Sequence, residues 1–298
     1  MRVVKCVVAV AAAASALLPP PRTPLNKGCV LEPAPGVSQE FLEIITGDSF
    51  IQKRTAEQQA VRYPAAARHS QSVNRLIAQL DPLSLQTIIE DFSDFQNRFF
   101  NGSEYSMKAS VWLHTKINQT VTSSDAAGVA VEVFDHAGWD QPSIIVSIPG
   151  MSPTTIVVGA HQDSITSPCY RVPRDYAPGA DDNASGVATL LEALRVILQD
   201  PIVAQGHAPN TLEFHFYAAE EVGLRGSLQI FESYSSQGRE VKAMLNQDMN
   251  GYTGYVGTNK PECIGVLTDN VDPGLTEFVR MMITTASDSI PIIHINTH

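Results

Sequence analysis

Residues 154–163 read TTIVVGAHQD, an uncharged, β-branched run that closes on His161 and Asp163. A strand without polar alternation is one covered on both faces, the habit of parallel sheets flanked by helices. The same grammar recurs along the chain. TLEFHFYAA (211–219), AMLNQDM (243–249), CIGVLTD (263–269) and IPIIHI (290–295) read as further strands, after the strand candidates VAVEVFDH (129–136) and SIIVSIPG (143–150). Between them, ASGVATLLEALRVILQ (184–199), GLRGSLQIFESYSS (223–236) and PGLTEFVRMMITTA (273–286) space their apolar residues at helical period. Upstream, SVNRLIAQL (72–80), LSLQTIIEDFSDFQNRFF (83–100) and SEYSMKASVWLHTKI (103–117) do the same, with Asp81 and Pro82 as punctuation. The expected fold class is α/β, three αβα layers around a mostly parallel, mixed central sheet.

With 298 residues, 44% of them hydrophobic, the chain can bury a large core. Its net charge of −11 and the lack of a basic block exclude a nucleic-acid footprint. MRVVKCVVAVAAAASALL has a basic start, a short apolar stretch and a small-residue cleavage site at Ala14-Ser15-Ala16, the pattern of a signal peptide over residues 1–16. No later segment reaches spanning length, so the expected location is secreted, with no membrane partner. The proline-rich 19–36 stretch cannot be helix or central strand. Residues 17–68 read as a linker followed by a removable propeptide or an ordinary N-terminal extension, and 69–298 as the main folded domain, the candidate catalytic domain. Cys6 falls in the signal and Cys29 in the pro-region, which leaves Cys169 and Cys263 as candidates for a disulfide. Asn101, Asn118 and Asn183 open glycosylation sequons, of which Asn183 is expected to stay bare because it lies inside the candidate site.

The chemistry-bearing residues collect where strands end. IVVGA runs into His161-Gln162-Asp163, LEFHFYAA into Glu220-Glu221 and AMLNQ into Asp248, while Asp181-Asp182-Asn183 precedes a helix. Singly, each has an ordinary explanation: a turn, a helix cap, a surface histidine. Together they lie at the carboxyl ends of strands, where open α/β sheets hold their ligands. One imidazole among several carboxylates suits zinc, with manganese and cobalt as weaker fits. The one-residue gap between His161 and Asp163 points both side chains the same way, so Asp163 can orient the imidazole. Of the adjacent Glu220 and Glu221, one can bind metal while the other takes a proton from an activated water.

In this order and spacing, IVVGAHQDS (156–164), APGADDNASG (177–186), FYAAEEVGLRGS (216–227) and NQDM (246–249) resemble the co-catalytic zinc aminopeptidases of the bacterial and fungal leucine aminopeptidase type. The likeness runs from about residue 60 onward; YPAAARHSQSV (63–73) is similar to the end of the fungal propeptide and DFQNRFF (94–100) to the first mature helix. The resemblance implies a zinc-peptidase fold, two Zn2+ per chain, a monomer, and peptide substrates with a free N-terminus, leucine or another apolar residue first. It places His161 and Asp248 on one zinc, Asp182 as the bridge and Glu221 on the second zinc. Glu220 becomes the general base and acid, and Asp163 the partner of His161. AAEE separates aminopeptidases from the related glutaminyl cyclases and carboxypeptidases, which are the alternative reactions on this fold. Family members continue past the IPxx strand with a CGYxCSDHAS-like loop and an IHTTxD-like segment whose histidine completes the zinc shared by Asp182 and Glu221. This chain ends at IPIIHINTH (290–298), with His294 and His298 the nearby imidazoles. The expectation is an incomplete catalytic domain whose second zinc site lacks its histidine, with a weak or inactive zinc-binding homologue as the alternative.

Overall fold

The computed structural model describes residues 63–67, 69–166, 175–251, 263–268, 271–286 and 292–295. The expected signal peptide, residues 17–62 of the linker and propeptide, Cys169 and His298 lie outside these, as does the side chain of His294. Asp81 accepts the amide of Leu83 at 2.9 Å, and Pro82 occupies the first turn of α2 (Pro82–Ser93). α1 (Ser70–Ile77) precedes it, and α3 (Glu104–Thr122) follows with Ser103 as its cap. α2 stops at Ser93, seven residues short of Phe100, where the sequence pattern and the family likeness place helix. The reason is local: Asn97 Oδ1 accepts the amide of Phe99 at 3.2 Å and the hydroxyl of Ser103 at 2.7 Å, a turn that competes with helical bonding.

β1 (Ala130–Phe134), β2 (Ser143–Ile148), β3 (Thr155–His161), β4 (Thr211–Tyr217) and β5 (Val241–Asn246) form one sheet in the order β1-β2-β4-β3-β5. β2 runs antiparallel to β1 and β4, whereas β3 runs parallel to both β4 and β5. α4 (Gly186–Ile197) connects β3 to β4, with the single turn α5 (Pro201–Ala204) after it, and α6 (Arg225–Ser236) connects β4 to β5. β6 (Ile264–Leu267) and β7 (Ile292–Ile295) pair in parallel as a separate small sheet, with α7 (Pro273–Ala286) between them in sequence.

Alternation along β4 explains the three layers. Leu212, Phe214 and Phe216 join Leu85, Phe92, Leu113, Ile117, Leu190 and Leu194 in the core under α2, α3 and α4. Each fully buried Leu or Phe there contributes about 1.5–3 kcal/mol. Tyr217 turns to the other face and packs with Ile230 and Tyr234 of α6. α4 is buried nearly all round rather than on one stripe, because sheet, α2 and α3 enclose it. Its buried Glu192 is satisfied by Arg195 at 2.6 and 2.8 Å and by the amide of Asp81 at 2.7 Å. β5 is only partly buried, since it forms the end of the described sheet.

Under α6, Glu213 is buried and accepts from His215 Nε2 at 2.9 Å, Tyr234 OH at 2.7 Å and Arg239 Nη2 at 2.5 Å. Burial alone would raise its pKa, but the bonds from His215, Tyr234 and Arg239 pull it down to about 2. A carboxyl with a depressed folded pKa adds stability above its unfolded value near ~4.3 and loses it as pH falls toward 2, about 3 kcal/mol in all. Urea unfolding at pH 5 and pH 3 is therefore expected to show a stability loss in the wild type that Glu213→Gln largely lacks. Equal losses in both proteins would place the acid sensitivity elsewhere.

Candidate metal centre

Parallel pairing brings the expected residues to one edge. β3 meets β4 with His161 opposite Tyr217, and meets β5 with Gly159 opposite Asn246, so all three strands end together. Glu220 lies three residues past β4, and Asp248 two past β5. Asp182 comes from the tight turn Ala180–Ser185 before α4, whose entry is Gly179 at φ 52°. A Cβ on Gly179 would lie 2.4 Å from the Asp182 carbonyl oxygen, so only glycine fits there.

His161 sits at the centre, fully buried. Its Nε2 lies 3.1 Å from Asp182 Oδ1, 3.5 Å from Asp248 Oδ1 and 3.7 Å from Glu220 Oε2. One ligand atom each from His161, Asp182 and Asp248 falls within 4.8 Å of the others. Asp182 is the most open of the group, its side chain 36% exposed, against 15% for Glu220 and 11% for Asp248. The opposite imidazole nitrogen, Nδ1, is 3.1 Å from the Asp163 carbonyl oxygen and 3.4 Å from its Oδ1.

Asp163 has a second task that its spacing from His161 did not reveal. Its Oδ1 accepts the amide of Glu220 at 3.0 Å, and its Oδ2 the amide of Glu221 at 3.1 Å. Ala219, at φ 54°, turns the chain so that these successive amides face one anion. Asp163 thus fixes the imidazole through its carbonyl and both glutamates through its carboxylate. The turn closes with the amides of Gly223 and Leu224 on the Glu220 carbonyl, and Gly226 then approaches Ala218 too closely for any Cβ.

Asn183 joins the other two loops. Its Nδ2 donates to the Gln247 carbonyl at 2.8 Å, while its Oδ1 accepts the amides of Gly186 at 2.9 Å and Met249 at 3.2 Å. Asp181 Oδ1 accepts the amide of Gly251 at 2.8 Å, so this carboxylate anchors the loop after Asp248. Arg98, unforeseen from sequence, is buried behind the site with its guanidinium on the carbonyls of Gln162 at 2.8 Å and Gly179 at 2.9 Å. Burial draws its pKa down to about 10 against the pull of Asp163, Asp182 and Glu221, so it stays charged.

The electrostatics describe a site with excess negative charge. Glu221 is driven well above the usual carboxylate range by burial and by Asp182. Burial opposes charge on His161, yet Glu220 and Asp248 hold its pKa well above the ordinary imidazole value. Among the described residues, His161 Nε2 and Asp248 Oδ1 are buried and have no hydrogen-bond partner. Orphaned nitrogen and oxygen donors converging among carboxylates fit a divalent cation, and this donor set fits zinc. All six residues expected from sequence, His161, Asp163, Asp182, Glu220, Glu221 and Asp248, therefore lie in one region.

Residues 143–272 match the model of peptidase family M28. Leucine aminopeptidase 1 of Leptosphaeria maculans is 45% identical over 236 residues, which cover 79% of this chain and 60% of that protein. Leucine aminopeptidase 1 of Trichophyton equinum is 44% identical over 257 residues, 86% of this chain and 68% of that one. The chain thus spans about 60% of the length of the first of these curated relatives. Among solved structures, LapB from Legionella pneumophila shares the fold at a TM-score of 0.67 and 24% identity, covering 86% of this chain and 68% of that one. LapA aminopeptidase from the same organism does so at 0.67 and 24%, over 80% and 60% of the two chains. With the converging strand ends inside the matched segment and such identity across two thirds of a relative, the chain belongs to peptidase family M28.

Proposed function

We infer that the protein is a secreted zinc aminopeptidase that releases N-terminal residues, leucine or other apolar ones, from peptides. The observation that carries this reading is the convergence of His161, Asp182 and Asp248 on one point, with the Glu220 carboxylate beside them. His161 and Asp248 would hold one zinc, with Asp182 available to it and to a second that Glu221 would serve. Bound there, zinc supplies Lewis-acid polarisation of a peptide carbonyl and acidifies water. Glu220 takes the proton from the attacking water and returns it to the amine as the C–N bond breaks. Asp163 keeps the His161 ring and the Glu220 backbone fixed while this happens. The carboxylate-rich rim favours a substrate whose N-terminal amine is charged.

The test is hydrolysis of leucine p-nitroanilide and of leucine-terminated peptides by the purified, zinc-loaded chain. Free amino acid without pyroglutamate, abolished by a chelator and restored by zinc, is the expected result. A zinc-loaded protein that releases no N-terminal residue overturns the reading.

Secretion would expose the sequons to glycosylation, and the fold separates them. Asn101 is exposed in the loop before α3, whereas Asn118 Nδ2 is bonded to the His114 carbonyl at 2.9 Å within that helix. Asn183 is fully buried. A glycopeptide map of secreted protein is expected to show Asn101 occupied and Asn183 bare; a glycan on Asn183 would contradict the buried site.

A further inference from the structure

Arg98 heads the fully buried side chains by volume, and the reaction proposed above gives it no part. Its guanidinium lies 4.5 Å over the Phe92 ring and spends its donors on main-chain carbonyls. Nε donates to Gln162 at 2.8 Å, Nη1 to Phe92 at 3.1 Å and to Pro178, and Nη2 to Gly179 at 2.9 Å. Gln162 stands between His161 and Asp163, and Pro178 and Gly179 lead into Asp182. The main chain of Arg98 takes part as well: its amide donates to Ser164 Oγ at 3.0 Å, and that hydroxyl donates to the Ala177 carbonyl at 2.7 Å. Neighbouring Asn97 and Gln96 bond the same loop, at Asp175 and Ala177.

A buried cation is costly unless its hydrogen bonds are met, and a planar fork can meet carbonyls from separate loops at once. A Cβ on Gly179 would come within 2.6 Å of Arg98 Nη2, so the close approach depends on glycine at that position. The geometry points to Arg98 as the positioning residue that holds the loops 161–164 and 177–182 at the separation zinc requires. The inference rests on the zinc reading of the site. It predicts that changing Arg98 weakens zinc binding beyond what lost stability explains.

The experiment measures zinc affinity of the full chain by chelator competition, at a temperature where each variant is folded. Arg98→Lys keeps the charge but loses the fork, and its zinc Kd is expected to rise about 10- to 100-fold. Leu113→Ala, in the core under α3, is the control: it lowers the melting temperature and leaves the zinc Kd unchanged. A folded Arg98→Lys with wild-type affinity overturns the inference alone. A wild-type chain that takes up no zinc overturns the metal reading, and the inference with it. Should Arg98→Lys fail to fold, Ser164→Ala reads the same link by deleting one hydroxyl; a rise of about threefold in Kd supports it, and an unchanged Kd overturns it.

Discussion

Glu220→Ala is expected to retain its zinc and to lose turnover by about 10²- to 10⁴-fold, the loss that follows removal of a general base. The expectation comes from the unequal positions of the paired glutamates. Glu220 Oε2 stands 3.7 Å from His161 Nε2, at the edge of the point where His161, Asp182 and Asp248 converge. Removing that side chain leaves the three converging donors in place. Glu221 is partly buried, and desolvation together with the charge of Asp182 pushes its carboxyl toward the protonated form. A carboxylate so placed gains most from a cation, so Glu221→Ala is expected to lower zinc stoichiometry as well as rate. Metal analysis of the two variants beside steady-state kinetics separates the roles. For Glu220→Ala, kcat should fall with little change in KM, since the lost interaction belongs to the transition state. Equal zinc loss from both variants would end this division of labour.

Asp163→Asn exchanges one oxygen for an NH2 group, yet a large effect is expected. The carboxylate receives the amides of Glu220 and Glu221 on separate oxygens. Asparagine offers one oxygen, so one amide must face a donor and go unpaired in a partly buried place, at about 1–3 kcal/mol. The imidazole loses an anionic neighbour 3.4 Å from its Nδ1 at the same time. Zinc affinity is expected to drop about 10- to 100-fold, with turnover falling alongside because Glu220 is displaced. Chelator competition and thermal melts of Asp163→Asn beside the wild type provide the check. A variant with unchanged zinc Kd and turnover would reduce Asp163 to a packing residue.

Much of the fold was legible because burial on both sides of a sheet writes itself as uninterrupted apolar runs. The stretch 154–161 reads as buried strand, and Thr155–His161 is one. The helical reading of 83–100 failed at Ser93 because Phe92, Phe95 and Phe99 mimic helical spacing while Asn97 bonds its neighbours. Arg98 was invisible for a related reason: an arginine inside an amphipathic pattern reads as a solvent-facing residue. Asn183 read as a sequon, and its sequence gives no sign that both ends of its amide are committed to other loops.

By itself the sequence determined the layer class, the candidate ligand types and their placement at strand ends, because side-chain chemistry and hydropathy are properties of single residues and short windows. The tertiary structure alone decided what holds those ligands still. Asp163 meets Glu220 across 57 positions, and Arg98 meets Gln162 across 64 and Gly179 across 81. Each of these bonds uses a main-chain amide or carbonyl, a group that nearly every residue carries, so only the folded path of the chain selects which ones meet.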